Sequence, residues 1–154
     1  MNISLSRNIA LAAVISGIIL IIVHYGDLPS KIPSHFDAQG NPDGYGSKGL
    51  LWLLVFINIS TFATLSWIPN APKDLINYPV KITPENEERQ YENMVDMIMV
   101  MRLTISVSFA YMIYGIIYTG LGQMNGLGGW FLWVFLGGVF VPMIYYMWRS
   151  FQLK

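Results

Sequence analysis

The sequence predicts an all-α integral membrane protein with four transmembrane helices, a structured loop between the first two, and a long third helix that extends beyond the bilayer. Three observations carry this reading. Hydrophobic residues make up 54% of the chain and charged residues 12%, with a mean hydropathy of +0.47; a soluble domain averages about 25% charged residues. The apolar residues fall into four runs, residues 8–25, 50–68, 103–121 and 130–148. Each run, built as a helix at about 1.5 Å per residue, measures about 27–28 Å and matches a bilayer core. Four such helices in 154 residues leave too little polar surface for a water-soluble shell. The chain reads as one membrane domain, residues 1–50 giving the first helix and its loop and residues 51–154 the other three helices.

The first run follows Arg7 and is near signal-peptide length. It ends in Val23, His24, Tyr25, Gly26 and Asp27, with no small-x-small cleavage pattern, so an uncleaved helix is expected. Orientation follows from lysine and arginine placement. With the N-terminus inside, Arg7, Lys73, Lys81, Arg89, Arg102, Arg149 and Lys154 lie on the inner side. Only Lys31 and Lys48 lie outside. This bias puts the first loop outside and both termini in the cytoplasm.

That first loop, residues 28–48, reads LPSKIPSHFDAQGNPDGYGSK. Pro29, Pro33 and Pro42 remove backbone donors and fix φ. Asn41-Pro42-Asp43-Gly44 has proline at a favoured second turn position and predicts a β-turn there. Gly40, Gly44 and Gly46 permit positive φ. A compact hairpin-like cap is expected, with Ile32 and Phe36 buried beneath it.

The second loop is cytoplasmic in this topology. Thr83 followed by Pro84 is a helix-start signal, with Glu85, Glu87 and Glu88 in the positive field of the helix N-terminus and Glu85 spaced to pair with Arg89. Tyr91, Met94, Val95 and Ile98 continue at helical period. The third helix is expected to start near Pro84 and run into the membrane as one rod, with Arg102 snorkelling to the headgroups. Small residues recur at four-residue spacing, Ala12/Ser16 and Ala13/Gly17 in the first helix and Ser106/Ala110 in the third, as in packed membrane bundles. Trp52, Trp67, Trp130 and Trp148 fall near predicted interfaces.

Composition also limits function. Nine basic and nine acidic residues cancel, so no basic field exists to hold nucleic acid. There is no cysteine, which excludes disulfides and thiolate metal sites. No Asp, Glu, Lys or His lies at the centre of a span, unlike ion-coupled carriers. Asn58, with Ser60, Thr61 and Thr64, is the strongest mid-span polar group and is expected to bond between helices.

The loop holds the candidate site. His35 with Asp37 and Asp43 has the ligand chemistry of a zinc or manganese site, at a spacing that matches no strong motif. The other readings are a turn-forming role for Asp43 and a surface that contacts a partner. His35, Asp43 and Lys48 are the ionisable groups expected to converge on such a surface. A structural Asp43–Lys48 pair, relieving the cation at the start of the second helix, is the alternative. No catalytic residue and no cofactor is indicated.

The run Leu28-Pro29, Ile32-Pro33, His35-Phe36, Gly40, Pro42-Asp43-Gly44 and Lys48 resembles the domain of unknown function 1648. Asn77, Pro79, Thr83, Asn86, Gln90 and Tyr91 are similar to the stretch that often follows it. The domain also occurs in larger SdpI-like proteins, bacterial membrane proteins of immunity against a secreted killing peptide. The resemblance implies a small bacterial inner-membrane protein with no established enzymatic activity. Taken with the reading of the loop residues, the expected loop site comprises Pro33, His35, Phe36, Asp37, Gly40, Asp43 and Lys48. Beyond the lipid bilayer, the expected partner is a peptide or membrane protein. The alternative is a metal-dependent membrane enzyme using His35 and the loop aspartates.

Overall fold

A computed structural model describes residues 3–72 and 75–154; Lys73, which contributes to the charge bias, lies outside them. The described chain forms helix α1 (Ile3–His24), strands β1 (Lys31–Phe36) and β2 (Pro42–Ser47), helix α2 (Leu50–Trp67), a short 3-10 turn (Ile68–Asn70), α3 (Glu87–Gly120) and α4 (Phe131–Gln152). All four α-helices are long and apolar enough to cross a membrane. The protein is a multi-pass membrane protein, mostly helical, with one two-stranded sheet among the described residues.

The helices alternate in direction. The α1–α2 and α3–α4 connections meet at one end of the bundle, the hairpin end, and the α2–α3 connection lies at the other. Helix α3 is the hub, packed against α1, α2 and α4. At 34 residues it is about 51 Å long, so roughly 20 Å extends beyond a bilayer core. Gly17 of α1 lets Ile113 of α3 approach closely, and Gly138 of α4 does the same for Thr104. Asn58, fully buried, donates to the Ser106 carbonyl at 3.4 Å and joins α2 to α3 as expected. In α4 only Ser150 is buried; its outer face, including Trp133, Val141 and Ile144, is exposed in the manner of a lipid-facing helix.

The two ends of the bundle have different interiors. Under the hairpin, Ile21, Leu28, Ile32, Leu51, Val55, Ile113 and Ile117 form an apolar core. At the opposite end buried polar residues gather, Ser6, Asn86, Gln90, Asn93, Arg102 and Ser150, beside the apolar Ile98 and Met99.

Several sequence expectations are corrected there. Helix α3 begins at Glu87, after a turn over residues 84–86. Asn86 preempts the Thr83 cap: its Oδ1 accepts the Thr83 N–H at 2.9 Å and its Nδ2 donates to the Lys81 carbonyl at 3.0 Å. The guanidinium of Arg89 donates to the backbone carbonyl of Glu85 at 3.1 Å, not to its carboxylate. A hydrogen bond from the Thr83 side chain holds the Glu85 carboxyl below its ordinary range. Arg102 does not snorkel. It is 4% exposed and points into the bundle, toward Ser66 and Ser6.

Candidate functional site

The expected hairpin-like cap is a two-stranded antiparallel hairpin. Lys31 lies opposite Ser47 and Phe36 opposite Pro42, with register shifts on either side of His35. The turn is not at Pro42-Asp43-Gly44, which lies in β2. It falls between the strands, where Asp37 organises it. Asp37 Oδ1 accepts the backbone N–H groups of Gln39 at 2.9 Å and Asn41 at 2.8 Å, and Oδ2 accepts the Asn41 side-chain amide at 3.1 Å. These bonds, the Asn41 backbone bond foremost, hold the Asp37 carboxyl below its ordinary value of 3.8. Pro42 fits as the first residue of a strand, where a missing donor is tolerated. Of the three loop glycines that permit positive φ, only Gly40 adopts it, at +80°.

Gly40 is fixed by a neighbour that sequence reasoning missed, the α3–α4 connection. Leu127 N–H donates to the Gly40 carbonyl at 2.9 Å. A Cβ on Gly40 would meet the Gly128 backbone at 2.6 Å, and one on Gly126 would collide with the Gly40 carbonyl. Three glycines thus let two main chains touch. The available signal was the glycine run at Gly122, Gly126, Gly128 and Gly129.

Irregular register turns both Ser34 and His35 outward, while Ile32 and Pro33 are buried and Phe36 is half-buried. His35 Nδ1 lies 2.5 Å from Asp43 Oδ1 on the exposed face, with 73% of the His35 side chain accessible. Gly44, opposite His35, leaves the space for this; a Cβ there would stand 3.0 Å from the His35 Cβ. The pair is a hydrogen bond with a neutral imidazole and an ion pair with a protonated one. Below it, Phe36 and Gly40 join Met112, Leu127 and Phe131 around a mostly apolar slot of about 320 Å³.

Lys48 does not join His35 and Asp43, nor does it pair with Asp43. It lies at the other end of the ribbon, about 13–17 Å away along the strands at about 3.3 Å per residue. Its Nζ donates to the carbonyls of Tyr25 at 2.8 Å and Leu28 at 3.1 Å, and sits 4.6 Å from the Tyr25 ring centroid. Those carbonyls follow the last turn of α1, where a cation meets the negative end of the helix dipole. Asp37 is likewise apart, spent on its own turn. Among the described residues no three His, Cys, Asp or Glu side chains are grouped to hold a metal ion.

The second set of residues gathers at the opposite end and clamps it. Gln90 Nε2 donates to the carbonyls of Ser150 at 2.8 Å and Leu153 at 3.2 Å, and Gln90 Oε1 accepts the Ser150 hydroxyl at 2.5 Å. Asn93 Nδ2 donates to the Tyr146 carbonyl at 2.9 Å. The Ser150 and Leu153 carbonyls are among those a helix C-terminus leaves without intrahelical partners. Tyr91 donates to the Pro69 carbonyl at 2.7 Å, tying α3 to the end of α2. Asn77 and Pro79 line a cleft between α3 and α4 with Gln90, Asn93 and Met94. Thr83 and Asn86 close the connection as described above.

Four membrane-spanning helices with a braced hairpin at one end define a class, a multi-pass membrane protein with a small folded cap. Residues 12–59, covering most of α1, the hairpin and the first half of α2, match the family model described as Domain of unknown function (DUF1648), and the chain carries that domain. No curated protein and no solved structure is significantly similar to the chain.

Proposed function

We propose that this is a non-enzymatic accessory protein of the bacterial inner membrane, immunity-like in role, whose hairpin faces the outside and contacts a peptide or protein partner. The seven lysines and arginines against two support that orientation. The observation that carries the reading is the His35–Asp43 pair, exposed on a ribbon that is braced from three sides. Lys48 anchors its base, Ile32 its underside and Gly40 its tip. A polar pair held on a rigid support loses little conformational entropy on binding. The adjoining slot offers apolar area for a partner side chain beside the polar contact.

The test uses His35→Ala and Asp43→Asn, both at exposed positions, in a deletion strain challenged with secreted peptides that attack membranes. Each variant is expected to lose protection while its melting temperature in detergent stays at the wild-type value. If protection is lost only in variants that also lose folded protein, the hairpin is a structural cap and the proposal fails.

A further inference from the structure

At the end of the bundle away from the hairpin, α1, α2 and α3 enclose a cleft of about 620 Å³. We propose that it binds the phosphate of a phospholipid headgroup. The deep wall of the cleft is Arg102, a buried guanidinium in a membrane-spanning helix. Its partners are neutral: Nη1 donates to Ser66 Oγ at 3.3 Å and Nη2 to Ser6 Oγ at 3.5 Å. Its Nε–H is buried with no hydrogen-bond partner. No described carboxylate pairs with it; Asp96, which lines the same cleft, is engaged by Arg149 at 3.1 Å. A buried charge without a counterion is unfavourable unless something else supplies one.

Arg7 lines the same cleft from α1 and is close enough for its charge to oppose that of Arg102. Two cations that repel across a cleft are both stabilised by an anion between them. A guanidinium's planar set of donors suits phosphate oxygens, which accept two parallel bonds.

The depth of the site selects the source. From Arg102 toward the hairpin, α3 carries no further charged residue, and neither does α1 beyond Arg7 until His24. Both arginines therefore mark the level where the apolar span ends, which is where a bilayer holds its phosphates. On the water side of them, Glu88 and Glu92 also line the cleft. Those carboxylates repel a soluble phosphate dianion arriving from solvent, whereas a lipid reaches the arginines from the bilayer.

The experiment adds three probes separately to the purified full chain in a neutral detergent: phosphatidylglycerol, diacylglycerol with the same acyl chains, and inorganic phosphate. Binding is read by native mass spectrometry and by thermal shift. Phosphatidylglycerol is expected to bind and to raise the melting temperature, and the other two are not. Arg102→Gln should weaken lipid binding by about tenfold or more, the effect of losing charge-assisted hydrogen bonds. Because that variant alters a buried position, Arg7→Gln is the deciding one: Arg7 is exposed, so the protein should fold normally and still bind the lipid more weakly. Equal binding of phosphatidylglycerol and diacylglycerol overturns the proposal. So does wild-type lipid affinity in Arg7→Gln, or inorganic phosphate binding as tightly as the lipid.

Discussion

Gln90 on α3 and Ser150 on α4 bond to each other in both directions. The glutamine amide donates to the serine carbonyl, and the serine hydroxyl donates to the glutamine carbonyl oxygen. Both residues are almost wholly buried, Gln90 at 1% and Ser150 at 2% exposure. Helix α4 touches the bundle only through α3 among its stronger contacts. This exchange therefore holds the end of a helix that has few other attachments. Gln90→Ala should destabilise the protein by about 2 kcal/mol, since it strands buried acceptors as well as removing bonds. Denaturant titration in mixed micelles measures this, and an unchanged midpoint would show that the clamp is dispensable.

Gly40→Ala should free the hairpin tip. The substitution places a side chain at φ +80° and drives its Cβ into the Gly128 backbone. The left-handed conformation alone costs about 1 kcal/mol. Hydrogen exchange at the Leu127 amide, which donates to Gly40, is expected to accelerate strongly while amides in the middle of α3 keep their protection.

The Asp37 turn should open in acid. Its carboxyl is held below the ordinary 3.8 by bonds to its charged form. Its contribution is thus fully present above pH 3.8 and fades as pH falls through the lower value of the folded state. Exchange of the Gln39 and Asn41 amides should rise over that acid range, after correction for intrinsic rate. In Asp37→Asn those amides should show no such transition.

Ile32→Ala should cost more than Phe36→Ala. Ile32 is fully buried against Gly120 and the core, whereas Phe36 is only half-buried. About 3 kcal/mol is expected for Ile32, and about 2 kcal/mol for Phe36. Equal losses would mean that Phe36 is buried more deeply in the membrane-bound protein.

The topology can be read with single cysteines, because the chain has none of its own. Ser34→Cys on the hairpin should be labelled in intact cells by an impermeant thiol reagent, and Glu85→Cys should not. Both positions are exposed, so burial cannot mimic protection. Labelling of Glu85→Cys alone would invert the proposed orientation.

Much of the architecture was legible because span length and apolarity are summed over many residues. All four runs became helices with boundaries within five residues, and the expected extension of α3 before its apolar run begins at Glu87, not Pro84. The errors came where one residue type serves two geometries. Pro42 fits the second position of a turn or the start of a strand, and Asp37, by taking three hydrogen bonds, decided between them. Arg102 was expected near the end of a span, but position along a helix does not say which way a side chain faces around it. Its direction is set by Ser6 and Ser66, 96 and 36 residues away along the chain. Lys48 was picked out with the right suspicion of structure, yet its true partners are carbonyls 20 and 23 residues earlier. The meeting of Gly40 with Gly126 and Gly128 needed the bundle to be assembled first.

That meeting is made by main-chain atoms and by the lack of side chains, so it places no demand on what neighbouring residues carry outward. Ser34, His35, Asp43 and Tyr45 stand on the exposed surface of the same ribbon. They can be exchanged for other polar or aromatic groups without loosening the tip. A platform of this kind can carry different outward groups while the membrane bundle beneath keeps its shape.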